Sequence, residues 1–130
     1  MWRYLVKTPQ PSKSNFTFKM QHSFEKRLKE SQRLKERYQN KVPIIVEKAD
    51  HSILPEIKRS KYLIENDVTI AQLIYLLRSN IQLSSSEAIF LYVDNSHIPS
   101  NADKIESVYK KYADKDGFLY ITYAAENTFG

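Results

Sequence analysis

The side chains best suited to moving a proton near neutral pH are His22, His51 and His97, and they are scattered through predicted loops and helix starts. No two of them stand in an HxxxH or HExxH spacing. Two glycines in 130 residues exclude a glycine-rich phosphate loop, and no GxSxG elbow is present. With zero cysteines, disulfides, thiolate metal sites and a cysteine nucleophile are all excluded. Asp114 and Asp116 lie close together, but at a predicted helix end, where carboxylates cap or are solvated. These residue types point to a chain that is not an enzyme, holds no metal and needs no cofactor. One reactive group remains, the carboxyl group of Gly130. A carboxylate with no Cβ beside it, on a polar tail, can thread a narrow channel and be attacked without steric hindrance. Taken alone, such an end is more often an uninformative chain terminus.

A chain of this length holds one domain with a sizeable core. Its 42% apolar and 27% charged content are those of a soluble globular protein. No apolar run approaches the roughly 20 residues of a membrane span. Met1 to Val6 is too short and too aromatic for a signal peptide. A cytoplasmic protein is expected. Charge is uneven: residues 1–61 hold 15 Lys and Arg against 6 Asp and Glu, a net +9, while residues 62–130 hold 5 against 9, a net −4. A basic half of this kind suits either an acidic partner or a solvated helix face.

The positioning elements follow from periodicity. Residues 1–22 carry four basic residues, no acidic ones, and Pro9 and Pro11, so an extended or partly ordered leader is expected, with Phe16 and Phe18 pinning its end. Ser23 can cap a helix over roughly 24–39 whose apolar stripe is Phe24, Leu28, Leu34 and Tyr38. Val42–Ala49 reads as a strand, with Pro43 arguing for an edge or a bulge. Lys61–Glu65 reads as a second strand. Thr69 and Gln72 form a capping box opening a helix from Ile70 to about Asn80. Ile89–Val93 is a third strand. Asp103 and Glu106 resemble a second capping box before Ile105, Val108, Tyr109 and Tyr112 at helical spacing. Asp116-Gly117 ends that helix, and a last strand starts at Phe118. A hairpin, a crossover helix and a final strand match a β-grasp, although periodicity does not dictate the strand order.

Five blocks carry a resemblance: Phe24-Glu-Lys-Arg27, Lys41-Val-Pro-Ile-Ile-Val-Glu-Lys48, Lys61-Tyr-Leu63, Asp116-Gly-Phe-Leu-Tyr120 and Thr128-Phe-Gly130. In this order and register the chain from Phe24 to Gly130 resembles the autophagy ubiquitin-like modifiers, in the branch of the GABA-receptor-associated protein and microtubule-associated light chain. The resemblance implies an α+β fold, a ubiquitin-like β-grasp with a four-stranded mixed sheet and an added N-terminal helical segment. It divides the chain into a leader over 1–22 and a ubiquitin-like domain with its tail over 23–130.

The same resemblance implies that Gly130 is activated, passed as a thioester to a conjugating enzyme's cysteine, and joined to phosphatidylethanolamine. Gly130 would be either the native terminus or a processed or truncated form. The implied partners are the activating and conjugating enzymes of the autophagy ubiquitin-like system, a phosphatidylethanolamine membrane, and receptors and adaptors carrying aromatic-x-x-aliphatic motifs. The location would be cytoplasmic, with the autophagosome membrane added on lipidation. Receptor peptides would add as a strand to the edge at Lys61, Tyr62 and Leu63. By resemblance the aromatic pocket would be Glu30, Leu34, Pro43, Ile45, Lys61, Leu63 and Phe118. The aliphatic pocket would be Tyr62, Ile64, Val68, Leu73, Leu76 and Leu77. Helical spacing alone would put most of these in the core. Lys41, Lys48, Arg59 and Lys61 would face acidic residues flanking the motif. The chain departs from the pattern at Asn80, where a basic residue is common, at Glu65, where a proline is common, and in its longer leader. That leader itself contains Trp2-Arg-Tyr-Leu5, an aromatic-x-x-aliphatic sequence able to dock in such pockets. Other readings stay open at this stage: a noncovalent peptide-binding adaptor, or a modifier attached to a protein. A nucleic-acid module is not expected, because the sheet aromatics read as buried.

Overall fold

Eight elements form in the order α1 (Thr17–Gln21), α2 (Phe24–Arg37), β1 (Lys41–Lys48), β2 (Lys61–Glu65), α3 (Ile70–Ile81), β3 (Ile89–Val93), α4 (Ile105–Tyr112) and β4 (Leu119–Ala125) in a computed structural model. It describes residues 13, 15–84, 86–94 and 96–125. Gly130 and Trp2–Leu5 lie outside those residues. The strands make one mixed sheet in the order β2-β1-β4-β3. β1 pairs with β2 and β3 with β4 antiparallel, and β1 with β4 in parallel. This is the four-stranded grasp that the resemblance implied.

Strand side chains alternate between the two faces. Val42, Ile44, Val46, Leu119, Ile121 and Tyr123 point to the main core, where Ile70, Leu73, Leu77 and Ile81 of α3 and Ile105 and Val108 of α4 pack. Ile45 points to the opposite face, where Phe18 of α1 and Leu34 of α2 cover it together with Phe118. Two helices therefore lie on each face. The leader is more ordered at its end than the sequence suggested. The Glu47 carboxylate accepts from the N–H groups of Thr17 and Phe18 at 2.8 and 3.0 Å, and the Phe18 ring meets Phe118 edge-on at 5.1 Å between centroids.

Helix ends show where local reading holds. Ser23 accepts from Lys26 N–H at 3.2 Å, and the Thr69–Gln72 capping box forms in both directions. The second expected box does not. Helix α4 is capped by Lys104 without a side-chain bond, and the N–H groups of Ile105 and Glu106 donate instead to the carbonyls of Val68 and Asn66. With those donors satisfied by a distant chain segment, Asp103 turns away and accepts from Ser100 N–H.

Pro43 corrects a second expectation, because β1 is an interior strand and not an edge. Val46 N–H donates to Ser60 O, so the even residues of β1 face β2 and the odd ones face β4. Ala49 N–H donates to Tyr123 O at 2.9 Å, and stepping back by twos along both strands sets residue 43 opposite the Gly117 carbonyl. Proline has no N–H to give there. The Tyr109 hydroxyl donates to that carbonyl instead, at 2.6 Å.

Candidate functional site

β2 is an outer strand, and its free edge is the natural place for a further strand. Its hydrogen bonding can be read from its ends. Ser60 O accepts from Val46 N–H at 2.7 Å and Asn66 N–H donates to Asn40 O at 2.9 Å. In an antiparallel ladder bonded and non-bonded residues alternate, so Tyr62 and Ile64 turn their backbone groups to β1. Lys61, Leu63 and Glu65 turn theirs outward.

Along this edge runs a groove of about 540 Å3. On one side of the strand α2 supplies Glu30 and Leu34 beside Lys61 and Leu63; on the other α3 supplies Leu76 and Asn80 beside Tyr62 and Ile64. The alternation of strand side chains thus makes two half-pockets, one against each helix. In the first half Lys61 Nζ lies 2.5 Å from Glu30 across the groove and 5.8 Å from the ring centroid of Phe18, which is buried behind it. In the second half the Tyr62 hydroxyl is buried without a hydrogen-bond partner among the described residues. Burial pushes its pKa up against the opposing pull of Arg59.

The structure brings together Glu30, Leu34, Lys61, Leu63, Tyr62, Ile64, Leu76 and Arg59 on this groove, and places the other expected residues elsewhere. Ile45 and Phe118 are wholly buried in the layer under α1 and α2, and Pro43 is buried beside them on β1. Leu73 and Leu77 are wholly buried in the main core, and Val68 packs against it. Lys41 and Lys48 stand at opposite ends of β1, Lys48 paired with Glu56 at 3.4 Å and Lys41 lying 5.5 Å over the Tyr38 ring. Asn80 lines the groove with a neutral amide.

The profile described as "Autophagy protein Atg8 ubiquitin like" matches residues 26–130. The chain belongs to this Atg8 ubiquitin-like family. Autophagy-related protein 8e of Arabidopsis thaliana is 49% identical over 113 residues, 87% of this chain and 92% of the relative. Autophagy-related protein 8 of Vanderwaltozyma polyspora is 47% identical over 114 residues, 88% of this chain and 96% of the relative. The crystal structure of Trypanosoma brucei ATG8 superposes with a TM-score of 0.83 at 36% identity, covering 90% of this chain and all of that one. Among the described residues no helix of this Atg8-family chain is long and apolar enough to cross a membrane.

The α2 wall of the groove is held by a polar clasp that the sequence did not disclose. Helix α2 buries only Arg27 and Ser31. Arg27 Nε lies 2.7 Å from Asp116 Oδ2, and its Nη1 donates to the carbonyls of Lys19 and His22 at the end of α1. Asp116 also accepts from the Tyr120 hydroxyl at 2.5 Å and from Phe118 N–H at 2.9 Å. The Ser31 hydroxyl donates to the Asp116 carbonyl. The expectation that Asp116 caps or is solvated is therefore wrong: its side chain is wholly buried in an ion pair. Burial and the neighbouring Asp116 carboxylate push the Tyr120 hydroxyl's pKa well up. Asp114 does not cap the helix either: its carboxylate closes the turn after α4, accepting from Asp116 N–H at 3.0 Å, and pairs with Lys19 at 2.8 Å.

Burial alone would raise the Asp114 pKa, but the Lys19 ammonium, the Asp116 N–H and the Arg27 charge outweigh it and hold the carboxyl below the usual range. A depressed folded-state value contributes stability that is present above the ordinary carboxylate value of about 4 and is lost as pH falls through the folded value. Lys19→Met is therefore expected to destabilise the fold in urea at about pH 6, with the difference from wild type shrinking towards about pH 2. A difference that stays constant or grows on acidification would contradict the pairing.

Proposed function

We propose that the chain is a ubiquitin-like modifier of autophagy whose Gly130 carboxyl is joined to the amine of phosphatidylethanolamine. The profile match that runs through residue 130 carries this reading, and the closing Thr128-Phe-Gly130 supports it. Activating and conjugating enzymes form and move a thioester of Gly130, so the chain supplies the acyl group and no catalytic residue. Attack by the lipid amine on that thioester makes the amide and releases the enzyme's thiol. A phosphatidylethanolamine anchor brings two acyl chains, enough to hold a water-soluble domain on a membrane where one chain gives only marginal attachment. The protein then moves between the cytoplasm and the autophagosome membrane. Gly130→Ala, incubated with both enzymes and phosphatidylethanolamine vesicles, is expected to lose the lipid product; an undiminished yield would overturn the role of Gly130.

The outward backbone groups of Lys61 and Leu63 and the two half-pockets beside them support the second activity, recruitment of receptors and adaptors. An aromatic-x-x-aliphatic segment adds as a fifth strand, with backbone bonds giving affinity and the pockets giving specificity. The two anchor side chains, being three residues apart, point to opposite faces of that strand, one towards α2 and one towards α3. Arg59 then meets an acidic flank, a contact weakened by salt. Leu63→Ala is expected to weaken binding of such a peptide about tenfold by calorimetry. Affinity within twofold of wild type would move the site off this edge.

A further inference from the structure

Lys13 stands beside the groove's entry. Its Nζ lies 3.8 Å from Glu47 and 3.5 Å from Asp50, and it lines a recess of about 260 Å3 together with Thr17, Phe18 and Ser60. Ser60 is the residue before Lys61, so the leader joins the body at the end of the groove where β2 begins. We infer that Trp2-Arg-Tyr-Leu5 of this leader docks in the groove of its own molecule as a weak fifth strand and competes with receptor peptides, a regulation that rests on the peptide reading of the groove. Leu5 stands eight residues before Lys13, a reach of about 26 Å when extended. β2 has five residues, a length of about 16 Å. The segment therefore spans both half-pockets without leaving the molecule.

The residue pattern fits the edge. Trp2 and Leu5 are three residues apart, so in an extended segment they point to opposite faces, one towards α2 and one towards α3. No proline stands between residues 2 and 8, which leaves their N–H groups available to the outward backbone of Lys61 and Leu63. Pro9 and Pro11 have no N–H to give, and they end the added strand where the chain must return to Lys13. Charge keeps the docking weak: residues 1–12 carry Arg3 and Lys7 with no carboxylate, and the groove presents Arg59 and Lys61. The tether offsets this, because a short linker holds its segment at an effective concentration on the order of 1 mM. A segment of about 0.25 mM intrinsic affinity is then docked in most molecules and weakens a competing peptide about fivefold. A motif with an acidic flank gains the contact to Arg59 that the leader forgoes, so it displaces the leader where a bare motif does not.

Trp2 is the chain's only tryptophan, so its fluorescence reads the docking directly. In the full chain its emission is expected to lie to the blue of that in Leu5→Ser and in Leu63→Ala, which should return it to water. A saturating tyrosine-anchored peptide with an acidic flank should shift the wild-type emission to that of Leu5→Ser. By calorimetry the same peptide should bind a chain lacking residues 1–8 about fivefold more tightly than the full chain. Binding to the shortened chain reports on the groove alone. Equal Trp2 emission in wild type and Leu5→Ser would overturn the inference whether or not the peptide binds, and so would equal peptide affinity of the full and shortened chains. Blue emission that Leu63→Ala leaves unchanged would seat Trp2 elsewhere, and a dependence on protein concentration would seat it on a neighbouring copy; either result would overturn docking within one molecule.

Discussion

Asp116→Ala is expected to cost about 3–5 kcal/mol of folding stability, the range for removing one partner of a buried ion pair. The loss has several physical parts. Arg27 keeps its charge and its burial but loses the carboxylate at 2.7 Å. The Tyr120 hydroxyl and the Phe118 N–H lose their acceptor in the same step. Because Arg27 also ties the carbonyls of Lys19 and His22, the end of α1 and the start of α2 should loosen together. Glu30 and Leu34 ride on α2, so peptide affinity at the groove should fall with stability. Replacing both partners, as in Arg27→Met with Asp116→Leu, should cost less than Asp116→Ala alone, since no buried charge is stranded. Denaturant titration measures all three chains. A loss below about 1 kcal/mol for Asp116→Ala would mean that the pair is screened as a surface pair is.

Gly117→Ala is expected to cost about 2–4 kcal/mol, combining backbone strain with a steric clash. Gly117 has φ +90°, a conformation that L side chains rarely adopt, and an added Cβ would lie 2.2 Å from Ser31 Oγ and 2.8 Å from Ser31 Cβ. The clash falls on the hydroxyl that donates to the Asp116 carbonyl, so α2 must shift or Ser31 must turn. Ser31→Gly removes the clashing atoms but also the bond to the Asp116 carbonyl, so the cost of Gly117→Ala measured in the Ser31→Gly background should keep the strain and lose the steric part. Thermal unfolding of both single variants and the double variant separates these terms; no cost of Gly117→Ala in the Ser31→Gly background would show that φ at residue 117 relaxes freely.

What could be read from the sequence was local, and what could not was distant. Ile89–Val93 reads as a strand from its apolar and aromatic run, and the structure has it over those residues. The Thr69–Gln72 box was legible because donor and acceptor stand three residues apart. Asp103 and Glu106 have the same spacing, but carbonyls about forty residues earlier satisfy the helix start. Asp116 read as a capping or solvated carboxylate because the Arg27 that buries it lies 89 positions away. Ile45 and Leu63 both read as apolar strand residues. Which of them floors the layer and which lines an open groove depends on β1 being interior and β2 an edge, and periodicity does not contain that order. The pocket residues came from the resemblance, and the fold sorts them into those on the groove and those packed behind it.

The most direct test of the central claim is intact mass spectrometry of the product formed when the wild-type chain is incubated with the activating enzyme, the conjugating enzyme and phosphatidylethanolamine vesicles. The predicted product gains the mass of one phosphatidylethanolamine less water, with fragmentation placing it on Gly130. An unmodified chain, or a chain joined through Gly130 to a protein amine, would contradict the account.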